Sequence, residues 1–271
     1  MQIKVTNHCF SMNEMLKNNI DFLIKAVSKG WDGILLFDGV EGSGKTTLAS
    51  EVSSYEAYQS KRKFDLSHVV FTAEQFNESV NNSPPGSAIL WDEAVFGALG
   101  VEWASIVNRT ITKLMVTIRK KRLFINIVIP WIYMLQPYLA VGRTRALIHV
   151  MTPDGISRGY FRFYDYTGKQ QLYFRNKKFF TYYGVKEAFK GTFPQADNIF
   201  YNDKEYQKKK DEAISSIMEK SAKGSKYQQA LDQRDIVVRL CGQYMKAKDI
   251  AEQIGITKLQ VHKIIKGDRS S

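Results

Sequence analysis

Residues 39–46 read GVEGSGKT, which fits the pattern G-x-x-x-x-G-K-[ST] with Gly39, Gly44, Lys45 and Thr46 at its fixed positions. The chemistry suited to that spacing is phosphate binding. Glycines let the backbone curl until successive N–H groups and a helix N-terminus converge on anionic oxygens. The expected nucleotide contacts are Gly39, Glu41, Gly42, Ser43, Gly44, Lys45, Thr46 and Thr47. Lys45 would reach the β- and γ-phosphates, and the Thr46 hydroxyl would ligate Mg²⁺. A glycine-rich turn that binds nothing is the bland alternative.

A second group of chemistry-bearing residues lies in AILWDEA, residues 88–94. There a short apolar run ends in two carboxylates. Asp92 would hold Mg²⁺, directly or through water, and Glu93 would polarise an attacking water. The other reading is an ordinary surface pair. Asn126, the one polar residue of LFINIVI (residues 123–129), is either a sensor of the γ-phosphate or a core amide with structural partners. Arg119, Arg143 and Arg145 are candidates for a cation offered to a neighbouring subunit's nucleotide, or else surface charge. Between residues 106 and 122 there are six basic residues and no acidic one, which fits a nucleic-acid-facing edge as well as a solvated helix end.

These residues need a scaffold that brings them together. Residues 34–37 read as a buried strand entering the glycine loop, and residues from 47 on as the helix leaving it. Ser11 with Glu14 reads as a capping box opening a helix through Leu16, Ile20, Leu23 and Ile24. Thr72 with Gln75 reads as another, after a strand at 68–72. Residues 103–118 read as a helix, and 146–151 as a further strand. Beyond residue 152, turn signals at 153–155 and 166–170 separate alternating runs, GYFRFYDY and QLYFRN, which predict an antiparallel meander. The expected fold class is α/β: a mostly parallel sheet flanked by helices, an antiparallel edge extension, and a small all-α domain.

The chain has 271 residues, 44% of them hydrophobic and 24% charged, enough for one large domain with a small appendage. Its two cysteines have no metal-ligand spacing, which points to a reducing cytoplasm. The opening residues lack the pattern of a secretory signal, and the apolar run 123–135, broken by Asn126 and Pro130, falls short of a bilayer span. A net charge of +12 implies an acidic partner, with nucleic acid the first candidate.

The tail supplies the second strong pattern. Residues 232–244 can form a helix carrying Ile236, Val237 and Leu240 on one side. Residues 247–267 then read helix, turn, helix: Ala251 small at the crossing, Gly255 at the turn, and Ile250, Ile254, Val261 and Ile264 as shared core. Thr257, Lys258, Gln260, His262 and Lys263 on the second helix suit contact with a DNA groove. The expected domains are an ATPase-type core over 1–200, a lysine-rich frayed helix and linker over 201–230, and a helix-turn-helix over 231–271.

Taken together, GVEGSGKT, AILWDEA and the basic helix before LFINIVIP resemble the RecA-like P-loop ATPases of the FtsK–HerA type. That group includes viral DNA-packaging and zonula-occludens-toxin-like ATPases. Residues 232–267 resemble the helix-turn-helix of resolvases and small repressors. The first resemblance implies ATP and Mg²⁺ as cofactors, double-stranded DNA as partner, and a homo-oligomeric ring. It implies action in the cytoplasm (the host's, for a viral protein), with a capsid or replication protein as a further partner. Lys45, Thr46, Asp92 and Glu93 match its motif positions. Two other readings stand beside a DNA-dependent motor: an ATP-switched, site-reading DNA-binding accessory protein, and a small-molecule kinase using the same loop.

Overall fold

The computed structural model describes residues 2–5, 8–92, 101–194 and 200–266. The chain divides into two compact units, Met1–Ile214 and Ser215–Ser271.

The first unit is built on β3 (Gly33–Asp38), whose six residues are all buried. A strand buried on both faces needs covered neighbours, and β3 has β6 (Phe124–Val128) on one side and β7 (Ala146–Met151) on the other, both parallel. Beyond β6 lie β5 (Ala88–Trp91) and β4 (Val69–Val70), also parallel. Beyond β7, β8 (Tyr160–Tyr164) and β9 (Phe189–Thr192) continue the sheet antiparallel. The order is β4-β5-β6-β3-β7-β8-β9, so the sheet is mostly parallel with an antiparallel edge, as expected of a RecA-like α/β fold. A small hairpin of β1 (Gln2–Val5) and β2 (His8–Ser11) stands apart from it.

Helices α1 (Glu14–Ser28), α2 (Lys45–Gln59), α3 (Ala73–Asn82) and α4 (Val101–Lys121) accompany the parallel strands. The first cap differs from expectation. Asn13, not Ser11, accepts the Leu16 N–H at 3.2 Å, because Ser11 is taken into β2. Thr72 caps α3 as expected, accepting from Gln75 N at 3.2 Å, while the Gln75 side chain reaches back to Phe71 N.

The expected hairpin at 166–170 is corrected to helix: α5 (Tyr166–Asn176) runs through both YTGKQ and QLYFRN. Asp165 caps it by accepting the Gly168 N–H at 2.7 Å, and Lys169, Leu172, Tyr173 and Asn176 are buried at helical spacing. An apparent alternation was one face of a helix. The stretch expected as a frayed helix and linker is helical. From Asp203 on, it belongs to one helix, α6 (Asp203–Cys241). Its Lys, Glu, Gln and Ala have high intrinsic helix propensity, which a search for apolar periodicity overlooks.

In the second unit, the end of α6 joins α7 (Ala247–Ile254) and α8 (Lys258–Lys266) around Val238, Ile250, Ala251 and Val261. Gly255 adopts φ 73° and closes α7 with its N–H on Ala251 O, the turn expected of it. Val238 is the residue that the preceding helix buries in this cluster. Ile236, Val237 and Leu240, expected together on one side of this helix, are exposed.

Candidate nucleotide and metal site

The end of β3 delivers the chain into the glycine loop. Gly39 has φ 138°, and a Cβ there would lie 1.9 Å from the carbonyl oxygen of Val150, so the loop passes against β7 with no room for a side chain. Its N–H bonds Pro130 O at 3.1 Å, tying the loop to the end of β6. Gly44 is left-handed, at φ 97°, and opens α2 without a side-chain cap. The first N–H groups of α2 therefore have no acceptor in the helix, and face the inside of the loop with the positive end of the helix dipole.

Lys45 is buried, and its ammonium donates to Gly39 O at 2.8 Å and Val40 O at 3.1 Å, so the cation sits over the loop it would serve. Ser43 Oγ is buried without a hydrogen-bond partner among the described residues. An orphaned hydroxyl inside a glycine cradle, beside a buried cation, fits an anionic ligand such as a nucleotide's phosphates. Glu41 and Gly42 are exposed at the loop's tip, and Thr47 is half-buried in the first turn of α2.

Asp92 follows β5 and is 1% exposed. Its backbone N–H bonds Val70 O at 2.9 Å, and its Oδ2 accepts from Thr46 Oγ1 at 3.1 Å. The strand order makes that bond informative: β6 lies between β3 and β5, so two motifs on non-neighbouring strands meet above the sheet. A hydroxyl and a carboxylate, both hard oxygen donors, fit Mg²⁺, which takes few protein ligands and keeps several waters. Asp92 Oδ2 also accepts from Tyr206 Oη at 2.5 Å. Burial, with the Asp92 charge beside it, holds that phenol's pKa well above the usual range. Tyr206 escaped the sequence reading because it lies in the stretch taken for linker. Glu93 lies outside the described residues.

The remaining candidates separate. Asn126 is fully buried in mid-strand, and its amide donates to Ser53 Oγ at 2.8 Å and Glu56 Oε2 at 2.7 Å, both on α2. It fastens α2 to the sheet, with contacts of the kind a core amide makes. Arg143, the candidate for a neighbouring subunit's nucleotide or for surface charge, pairs with the buried Asp32, and its Nε meets Met115 Sδ at 2.9 Å. Arg119 and Arg145 are exposed, with guanidinium carbons 5.7 and 4.8 Å from the Trp31 ring centroid.

A cluster beside the loop was also missed. Asp38, the residue before Gly39, is fully buried and accepts from Ile132 N at 3.0 Å and from Tyr182 Oη. His149 Nδ1 lies 2.8 Å from its other oxygen, and the His149 and Tyr182 rings stack at 3.8 Å. These contacts fix the floor of the loop to β7. An acid closing an otherwise apolar strand was the available signal.

In the C-terminal unit, Thr257 and Gln260 cap α8 reciprocally. Gln260 N donates to Thr257 Oγ1 at 3.2 Å, and Thr257 N to Gln260 Oε1 at 2.8 Å. Two of the five residues expected at DNA are thus engaged in the helix's own start. Lys258, His262 and Lys263 are exposed.

No protein-family model and no curated protein matches the chain. Among solved structures, the N-terminal domain of zonular occludens toxin from Neisseria meningitidis is similar, with a TM-score of 0.37 and 16% identity over 62% of this chain and 95% of that one. Among the described residues, no helix is long and apolar enough to cross a membrane.

Proposed function

We propose that this chain is an ATP hydrolase that couples turnover to movement of double-stranded DNA, working as a homo-oligomeric ring. The observation that carries the hydrolase reading is the 3.1 Å bond from Thr46 to Asp92, which unites the loop and the carboxylate at one point. Lys45 would neutralise charge on the β- and γ-phosphates, the loop's N–H groups and Ser43 would hold their oxygens, and Thr46 and Asp92 would hold Mg²⁺. Mg²⁺, when bound, supplies charge neutralisation on those oxygens. Glu93 is the assigned base for water. Arg119 and Arg145 are the cations available to a neighbouring subunit.

Support for DNA as the partner comes from the charge of +12 and from Lys258, His262 and Lys263, exposed on the helix after the Gly255 turn. The same placement supports a site-reading role, in which ATP switches DNA binding and turnover stays slow. Nothing in a metabolite kinase would require that helix.

The test is duplex binding by anisotropy across a salt series, with Lys258→Ala and Lys263→Ala together. The expected result is weaker binding and a shallower dependence on log salt, by about 1 for each phosphate no longer neutralised, with basal ATP turnover unchanged. An unchanged affinity and slope would move the DNA surface to the core.

A further inference from the structure

We infer that Tyr206 is a positioning residue for the metal-holding carboxylate. The inference rests on Thr46 and Asp92 being the magnesium site. Two donors converge on one oxygen of Asp92: Thr46 Oγ1 at 3.1 Å and Tyr206 Oη at 2.5 Å. Together they fix the rotation of the carboxylate about its last bond. A hydrogen bond from a phenol to a carboxylate is charge-assisted and among the strong ones, so it holds the acceptor oxygen in place. Losing a group that orients a metal's ligand typically costs about 10- to 100-fold in metal affinity or activity.

The surroundings of Tyr206 mark it as a fixed donor. Its ring stacks on Tyr201 at 5.4 Å and meets Phe71 edge-on at 5.4 Å. Tyr201 is itself held, with its hydroxyl 2.9 Å from Ser50 Oγ on α2. One turn further along α6, the Lys209 ammonium donates to Leu66 O at 2.9 Å and Val69 O at 2.6 Å. Val70, the next residue of β4, holds the backbone N–H of Asp92. The same short strand therefore anchors both the helix that brings the phenol and the residue the phenol orients. A side chain that had to leave whenever metal arrived would not be fastened on three sides.

The variant is Tyr206→Phe, which keeps the ring and its packing and removes the one donor. The readouts are Mn²⁺ binding by electron paramagnetic resonance, in the presence of a non-hydrolysable ATP analogue, and the Mg²⁺ dependence of turnover. Mn²⁺ affinity is expected to fall about tenfold, and the half-saturating Mg²⁺ concentration to rise by a similar factor. The turnover rate at saturating Mg²⁺ and the melting temperature should stay close to those of the parent. Tyr201→Phe keeps the stacked ring and removes the hydroxyl that meets Ser50 Oγ, so its Mn²⁺ affinity should stay within about twofold of the parent, unlike a loss from general loosening. Unchanged affinity in Tyr206→Phe would overturn the assignment. Tighter binding would also overturn it, by making the phenol a competitor of the metal. No Mn²⁺ binding by the parent chain would refute the magnesium site itself, a result separable from the other two.

Discussion

Replacing Lys45 with alanine is expected to lower ATP turnover by at least about 100-fold, the usual loss when a charge-stabilising donor is removed from a transferring phosphoryl group. The ammonium is buried and already directed over the loop, bonded to the carbonyls of Gly39 and Val40. Little ordering is left for binding to accomplish, so the cation's charge is available to catalysis. Its loss should also weaken nucleotide binding, measured with a fluorescent analogue. The fold should survive, since the loop is held independently by Gly39 N on Pro130 O and by the closeness of Gly39 to Val150. A melting curve near the parent's, with turnover lost, is the expected pair of results. Turnover within about twofold of the parent would exclude this lysine from the chemistry.

The second large effect is on stability. Burial raises the carboxyl of Glu56 from the ordinary 4.5 to about 8, against an opposing hydrogen bond from Asn126, and burial alone raises Glu51 to about 8. A raised carboxyl holds its proton longer in the folded chain than in the unfolded one. Its contribution is therefore fully present below pH 4.5 and is lost as pH rises toward 8. At about 1.4 kcal/mol for each pH unit, the loss from Glu56 across that window is on the order of 5 kcal/mol. Glu56→Gln removes the charge, keeps an acceptor for Asn126 and adds an N–H donor beside its unpartnered Oδ1. Urea unfolding at pH 5 and pH 8 should show the variant gaining on the parent at the higher pH, with a flatter profile. Parallel profiles would place this carboxyl in contact with water.

The parts of the site written in backbone chemistry could be read from the residues. Gly39 and Gly44 are required by a conformation and a close approach, and a strand ending in Asp92 announces a carboxylate at a sheet's edge. What brings Thr46 to Asp92 could not be read, because it depends on β6 being inserted between β3 and β5, a fact of strand order. Single polar residues with two plausible partners were also ambiguous: Asn126 and Arg143 turned to α2 and Asp32, and Thr257 and Gln260 to each other. Periodicity misled over short windows, as when QLYFRN passed for a strand and was α5. The largest omission was Tyr206. A helix rich in lysine and glutamate shows no apolar stripe, so the one aromatic residue it sends into the site had no pattern around it.

The claim most exposed to refutation is that this loop hydrolyses ATP and that DNA drives it. The measurement is steady-state ATP turnover by the full chain with Mg²⁺, without DNA, with random duplex and with random single strand, at two salt concentrations. The expected result is turnover stimulated at least about tenfold by duplex of any sequence, with the stimulation weakened at the higher salt. No turnover, or turnover that duplex leaves unchanged at both salts, would contradict it.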